Sequence, residues 1–210
     1  MTTAFWRRLR RAEARLSGTR ERVAGVDEAG RGPLAGPIVA AAVVLSRDGI
    51  WDGLNDSKQM TPEARVTSFS QVLGEARAFA WSVVGPRAID FMNIRRAAHL
   101  AMARAVAGLR LAPDLVLIDG HETVPGIPCE QVAVVDGDAR LLSIAAASVL
   151  AKVVRDRIMG HLDSVWPQYG FGRHKGYGTR EHLDALARLG PCPLHRYSFR
   201  PVCTLELPLV

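Results

Sequence analysis

The stretch Val23-Ala24-Gly25-Val26-Asp27-Glu28-Ala29-Gly30-Arg31-Gly32-Pro33 sets two adjacent acids at the end of an apolar run and follows them with a glycine-rich turn. The apolar run reads as a short strand entering a core. Carboxylates at its inner end are costly, because a buried charge needs a partner. The fold must therefore give these acids a cation or a proton to share. Carboxylate oxygens suit hard divalent ions such as Mg²⁺ and Mn²⁺. Successive side chains of an extended strand point to opposite faces, so both acids serve one site only if the backbone bends or Glu28 contributes through its carbonyl. Gly25 and Gly30 make a bend feasible.

Further along, Leu115-Val116-Leu117-Ile118-Asp119-Gly120 reads as a strand buried on both faces that ends in an acid and a glycine. Such strand ends are where ligands bind in open α/β sheets. A shorter strand, Gln131 to Val135, leads into Asp136-Gly137-Asp138. Asp27, Glu28, Asp119 and Asp138 each follow an apolar run. Converging, they could hold two divalent ions about 4 Å apart, clamping the attacking and leaving oxygens of a phosphodiester. Read singly, each has a plainer role. Asp27 and Glu28 could form a turn, Asp119 could close an Asx-turn, and Asp136 and Asp138 could be turn residues.

The other elements follow from periodicity and caps. Residues 1–20 carry Phe5, Leu9, Ala12 and Leu16 at helical spacing among arginines, an amphipathic basic helix. Its plain role is to dock an apolar stripe; a sharper one is to add phosphate contacts. Pro37 to Leu45 reads as a second strand, joined to the first by a hairpin-like turn. Thr61-Pro62-Glu63 opens a helix that runs to about Arg77. Ala78 to Val84 is a strand, Ile94 to Leu109 a helix, and Ser143 to Leu162 a long helix. Tyr169 to Gly178 is an aromatic, basic, glycine-rich loop, and Thr179 caps a short helix ending by Gly190. His174 and His182 read as loop and helix-surface residues. The last twenty residues, rich in proline, read as a loosely structured arm. The organisation expected is a basic extension over 1–20, a catalytic domain over 21–190 that includes a C-terminal helical part, and an arm over 191–210.

The net charge of +6 favours a polyanionic partner. Cys129, Cys192 and Cys203 are odd in number and lack CxxC spacing, so neither a disulfide framework nor a zinc site is indicated. No apolar run approaches the roughly 20 residues that cross a bilayer. A cytoplasmic protein without membrane contact, and a monomer, is expected.

The motif Gly25 to Leu34 resembles the signature of ribonuclease HII, the type 2 ribonuclease H of bacteria. The resemblance continues through Leu54-Asn55-Asp56-Ser57-Lys58, Leu117-Ile118-Asp119-Gly120, Gly137-Asp138, Ala146 to Asp156, Tyr169-Gly170-Phe171 and His174 to Thr179, covering roughly residues 22 to 202 in order. It implies an α/β, ribonuclease H-like fold: a mixed five-stranded sheet flanked by helices, with a C-terminal helical extension. It implies hydrolysis of RNA in RNA–DNA hybrids and cleavage 5′ of single ribonucleotides in duplex DNA, as in ribonucleotide excision repair, leaving 3′-hydroxyl and 5′-phosphate ends. By residue match, Asp27, Glu28, Asp119 and Asp138 would be the catalytic, metal-binding acids, holding two Mg²⁺ or Mn²⁺ ions in the substrate complex.

The same resemblance gives Gly30, Arg31 and Gly32 the 2′-hydroxyl, which distinguishes RNA from DNA. It gives Tyr177 the sugar at the RNA–DNA junction, and Asn55, Ser57, Lys58, Ser148 and Lys152 the phosphate backbone. Their plain alternatives are a hairpin turn for 30–32 and a surface pair between Lys152 and Asp156. A sliding clamp could dock on the C-terminal arm. Two other functions fit the pattern: a non-catalytic hybrid-binding module of this fold, and another two-metal nuclease that ignores the ribose.

Overall fold

The computed structural model describes residues 4–55, 57 and 59–204. In chain order the elements are α1 (Ala4–Ser17), β1 (Val23–Ala29), β2 (Ile38–Val44), α2 (Pro62–Glu75), β3 (Ala78–Val84), α3 (Pro86–Met92), α4 (Ile94–Ala107), β4 (Leu115–Asp119), β5 (Glu130–Val134), α5 (Leu142–Val165), α6 (Phe171–His174) and α7 (Arg180–Leu189). The five strands form one sheet in the order β3-β2-β1-β4-β5. β1 pairs antiparallel with β2 and parallel with β4, so the sheet is mixed, as expected. Centrality explains why β1 and β2 are so apolar: every β2 residue is buried.

Helices cover both faces. α4 packs over Val26, Ala40, Ala42, Val116 and Ile118. α5, with α1 and α2, covers Ala41, Val43, Leu115 and Leu117. α5 lies so close to β1 that a Cβ on Gly25 would fall 2.1 Å from the Ser143 backbone. Gly25 is thus a contact glycine, and it sets the helix directly above the strand that carries Asp27. α1 fastens the start of α5. Its Trp6 and Leu9 enter the core, and the half-buried Glu13 carboxylate accepts from the Ser143 N–H at 2.7 Å and hydroxyl at 2.8 Å. A carboxylate there satisfies donors at the helix N-terminus. Burial raises the Glu13 pKa despite those bonds.

The boundaries differ modestly from the sequence reading. α5 runs through Val165, and a separate helix, α3, precedes Ile94, the two being divided by Asn93 at φ 71°. Asn93 Oδ1 accepts from the Arg96 N–H, a cap that starts α4 afresh. The expected caps Thr61 and Thr179 both accept backbone N–H bonds.

The proline-rich C-terminal segment is not loose where it is described. His195 and Arg196 are fully buried, and Leu34 and Gly36 exchange backbone bonds with Arg196 and Leu194. Proline content signalled the irregular path but not the burial. His174 and His182 are likewise core residues rather than surface ones. Among the described residues no helix is long and apolar enough to cross a membrane.

Candidate active site

The β1–β4 register pairs Val26 with Ile118 as its last step, so Asp27 and Asp119 stand level at the next. Both strands are parallel, and both acids leave from the same end of the sheet. Asp27, Glu28 and Asp119 line one cleft of about 270 Å³ with Gly30, Arg31, Gly32, Ser57, Ser148, Lys152, Arg155 and Tyr177. Backbone bending is not how the adjacent acids come to share it. The β1–β2 ladder runs unbroken from Ala24 to Ala29, without a bulge. Instead the β1–β4 ladder stops at the Val26–Ile118 pair, and just past that point side chains of both faces of β1 reach the cleft. Asp27 leans to the α5 side, where the Ser148 hydroxyl favours its charged form; that hydroxyl is itself 2.9 Å from the Ser57 hydroxyl. Glu28 turns toward Arg31, whose guanidinium lies 3.3 Å from its carboxylate.

The electrostatics are those of acids that crowd one another. Burial lifts the Asp27 pKa well above the usual carboxylate range, and the charges of Glu28 and Asp119 lift it further. Burial also raises Glu28, with Asp119 adding to the rise and Arg31 opposing it. Asp27 accepts from the Glu28 N–H at 2.7 Å, and Asp119 from the Gly137 N–H at 2.7 Å. Among the described residues no three His, Cys, Asp or Glu side chains are drawn into a closed metal cage. The donor chemistry nevertheless fits a hard divalent ion: oxygen ligands only, mutually repelling, at the mouth of a polar cleft.

Asp138 stands apart. It is buried on the single turn Gly137–Ala139 and does not line the cleft, but its neighbour Gly137 is the residue bonded to Asp119. Asn55 is buried just before the 57–59 segment. Lys58 lies outside the described residues. Lys152 lines the cleft while paired with Asp156 at 2.7 Å, so the surface pair and the cleft position coexist.

The two glycines of the turn are glycine for different reasons. Gly30 has φ +102°, and a Cβ there would lie 2.2 Å from Arg155 Nε and 2.8 Å from the Pro37 carbonyl. The fold itself forbids a side chain. At Gly32 a Cβ would meet only Tyr177 Cε1, at 3.9 Å. Nothing in the fold demands glycine at 32, so its missing side chain leaves cleft space in front of Tyr177.

Two further residues went unmarked in the sequence. Arg155, nearly inaccessible, donates to the carbonyls of Pro37 at 3.0 Å, Ala35 at 3.3 Å and Lys175 at 3.0 Å. Arg196 donates to Gly36 at 3.0 Å, Arg31 at 2.9 Å and Gly30 at 2.6 Å. Burial, and then the neighbouring Arg155 charge, brings Arg196 down to about 9. A helical arginine in an alanine-rich run and an arginine in a proline-rich tail carry no periodic signal of burial.

Behind Tyr177 lies a histidine chain. The Tyr177 carbonyl is 2.9 Å from His182 Nδ1, His182 Nε2 is 3.0 Å from His195 Nε2, and the Cys192 N–H donates to His195 Nδ1 at 3.0 Å.

The family model described as Ribonuclease HII matches residues 24–202. Ribonuclease HII of Agrobacterium fabrum is 55% identical over 180 residues, spanning 86% of this chain and 82% of that protein. The ribonuclease H2 structure from Pyrococcus horikoshii OT3 superposes with a TM-score of 0.73 at 27% identity, over 87% of this chain and 96% of that one. A ribonuclease HII from Archaeoglobus fulgidus, solved with PCNA, gives a TM-score of 0.73 at 24% identity over 90% and 98% of the two chains, a likeness of fold.

Proposed function

The chain belongs to the ribonuclease HII family, and on that premise we propose that it cuts on the 5′ side of a ribonucleotide, including one embedded in duplex DNA. It has the ribonuclease H-like fold and is a metal-dependent endoribonuclease acting on RNA–DNA hybrids. In the proposed reaction the products are 3′-hydroxyl and 5′-phosphate ends. The observation that carries the reading is adjacency. Three carboxylates, Asp27 buried and Glu28 and Asp119 half-buried, line one cleft with the 30–32 turn, so a ribose at the turn puts its neighbouring phosphate at the acids.

Asp27, Glu28, Asp119 and Asp138 would hold the metal, as two Mg²⁺ or Mn²⁺ ions. Bound there, the ions neutralise phosphate charge and lower the pKa of water toward neutrality. Asp119 is kept in orientation by the Gly137 N–H, and Asp27 by Ser148 and the Glu28 N–H. The Arg31 side chain restrains Glu28. Tyr177 bounds the space that Gly32 leaves open and so provides a surface for the sugar. Ser57, Ser148 and Lys152, with Asn55 and Lys58, would position the backbone by phosphate contacts. The protein would act as a monomer, and its C-terminal arm could meet a sliding clamp.

Product mapping on a DNA duplex with one ribonucleotide tests this. The expected product ends 5′ of the ribonucleotide and needs Mg²⁺ or Mn²⁺. A cut on its 3′ side, or equal cleavage of an all-DNA duplex, overturns the proposal.

A further inference from the structure

Arg196 reaches across the molecule to the carbonyl oxygens of Gly30 and Arg31, at 2.6 and 2.9 Å. The Gly30–Arg31 and Arg31–Gly32 peptides are trans, the cis bond among the described residues being Arg200–Pro201. A trans peptide is planar, with its C=O and N–H pointing in opposite directions. If the two carbonyls point inward to a buried guanidinium, the Arg31 and Gly32 N–H groups point outward. Outward here is the cleft, since Arg31 and Gly32 both line it. Neither amide makes a hydrogen bond within the described residues. Successive outward amides form a small concavity of donors, suited to an electronegative oxygen.

We propose that Arg196 is the positioning residue that sets the polarity of this turn, holding its carbonyls inward so that the Arg31 and Gly32 amides form the donor pair that reads a ribose hydroxyl. The proposal rests on the reading that the turn senses the ribose. It adds which residue imposes the donor geometry.

The physical case has three parts. First, the clamp is over-determined. Arg196 also binds the Gly36 carbonyl at 3.0 Å, and Arg155 binds the Pro37 and Ala35 carbonyls, so both ends of the 30–37 turn hang on guanidiniums. Second, every hydrogen bond of this guanidinium goes to a backbone carbonyl and none to a carboxylate, with the Phe199 ring 5.0 Å away on its face. Releasing one of those bonds would leave buried polar groups unpaired, which costs more than the bond itself contributes. The turn is therefore set before substrate arrives. Third, a site built to bond a hydroxyl rejects an analogue lacking it, because its donors are then desolvated without a partner.

The test uses the full chain and two duplexes that differ by one 2′-hydroxyl. Binding is measured in Ca²⁺, with cleavage kinetics in Mg²⁺ measured alongside. Arg196→Lys keeps the charge but lacks the planar fork that spans three carbonyls. Its expected effect is a loss of about tenfold or more in the ribose preference of binding, with a lower kcat on the ribonucleotide duplex. A folded Arg196→Lys that keeps the wild-type preference overturns the proposal. A second measurement needs no variant. In wild-type protein the Arg31 and Gly32 amide resonances should shift with the ribonucleotide duplex and stay in place with the all-DNA duplex. Equal shifts with both duplexes, or none, overturn it. Wild-type protein without any ribose preference would instead overturn the underlying reading of the turn.

Discussion

Asp27, Glu28 and Asp119 crowd three carboxylates into one cleft, while Arg155 and Arg196 bury two guanidiniums behind the same turn. The two groups of like charge are compensated differently. Each guanidinium meets three backbone carbonyls, and its charge is spread over dipoles fixed by the fold. The carboxylates repel one another, and the pKa values of Asp27 and Glu28 rise. The comparison separates what folding has already settled from what a ligand must complete. Perturbed acids in a cleft mark function, whereas saturated arginines mark the scaffold that presents it.

The sharpest way to break that comparison is to neutralise one member on each side. Asp119→Asn should lower cleavage at least about 100-fold while leaving thermal stability equal or higher, since it removes a repelled charge. Retained activity, or a collapse of the melting temperature, would show that the acids hold the fold rather than the reaction. Arg155→Ala should do the reverse in kind. It strips donors from the Pro37, Ala35 and Lys175 carbonyls and should cost about 3 kcal/mol in denaturant unfolding. A loss below about 1 kcal/mol would mean that water solvates those carbonyls adequately.

The glycines sharpen the comparison at smaller scale. Gly30→Ala demands a positive φ and a clash with Arg155, so about 1–3 kcal/mol of stability should go. Gly32→Ala has room and should leave stability within about 0.5 kcal/mol, yet lower kcat/KM on a ribonucleotide duplex by about tenfold. Similar unfolding curves for the two variants would contradict the division between a fold glycine and a substrate glycine.

Much of this was legible in the sequence. The apolar runs ending at Asp27 and Asp119 gave the central strands, because burial on both faces leaves no polar alternation to confuse the reading. Thr61 and Thr179 were readable as caps. What escaped was burial imposed at a distance. Arg155 looks like any polar residue on a helix, and Arg196 and His195 sit in a segment whose prolines suggest a loose path. Their burial depends on the 30–37 turn, more than a hundred residues earlier, and nothing local encodes it. The sharing of one cleft by Asp27 and Glu28 also looked to need a bend. A strand that outruns its β4 partner just before the two acids meets that requirement without one.

The histidine chain offers a third mode of compensation, neutrality, and the smallest expected effect. The Tyr177 carbonyl can only accept, so His182 Nδ1 carries the proton and its Nε2 is bare. His195 Nε2 must then donate, leaving its Nδ1 to accept from the Cys192 N–H. A proton added to His182 Nε2 faces the His195 N–H across 3.0 Å, and one added to His195 Nδ1 faces the Cys192 N–H across 3.0 Å. Burial, with the neighbouring histidine, accordingly holds His195 at about 4, below its ordinary 6.5, and lowers His182 too. In the window between those values the unfolded chain binds more protons, so this contribution is present above the upper value and is lost as pH falls through the lower one. The carboxylates act with the opposite sign. Their raised pKa values mean that acid relieves a cost in the folded state. The total pH profile therefore mixes the two, and the clean observable is a difference. The stability gap between wild type and His195→Gln should be widest near neutral pH and should narrow by about 1 kcal/mol or more between pH 6.5 and 4. The variant leaves the acids untouched, so their contribution cancels. A gap that stays constant across the window would show that His195 accepts its proton without breaking the chain that holds Tyr177.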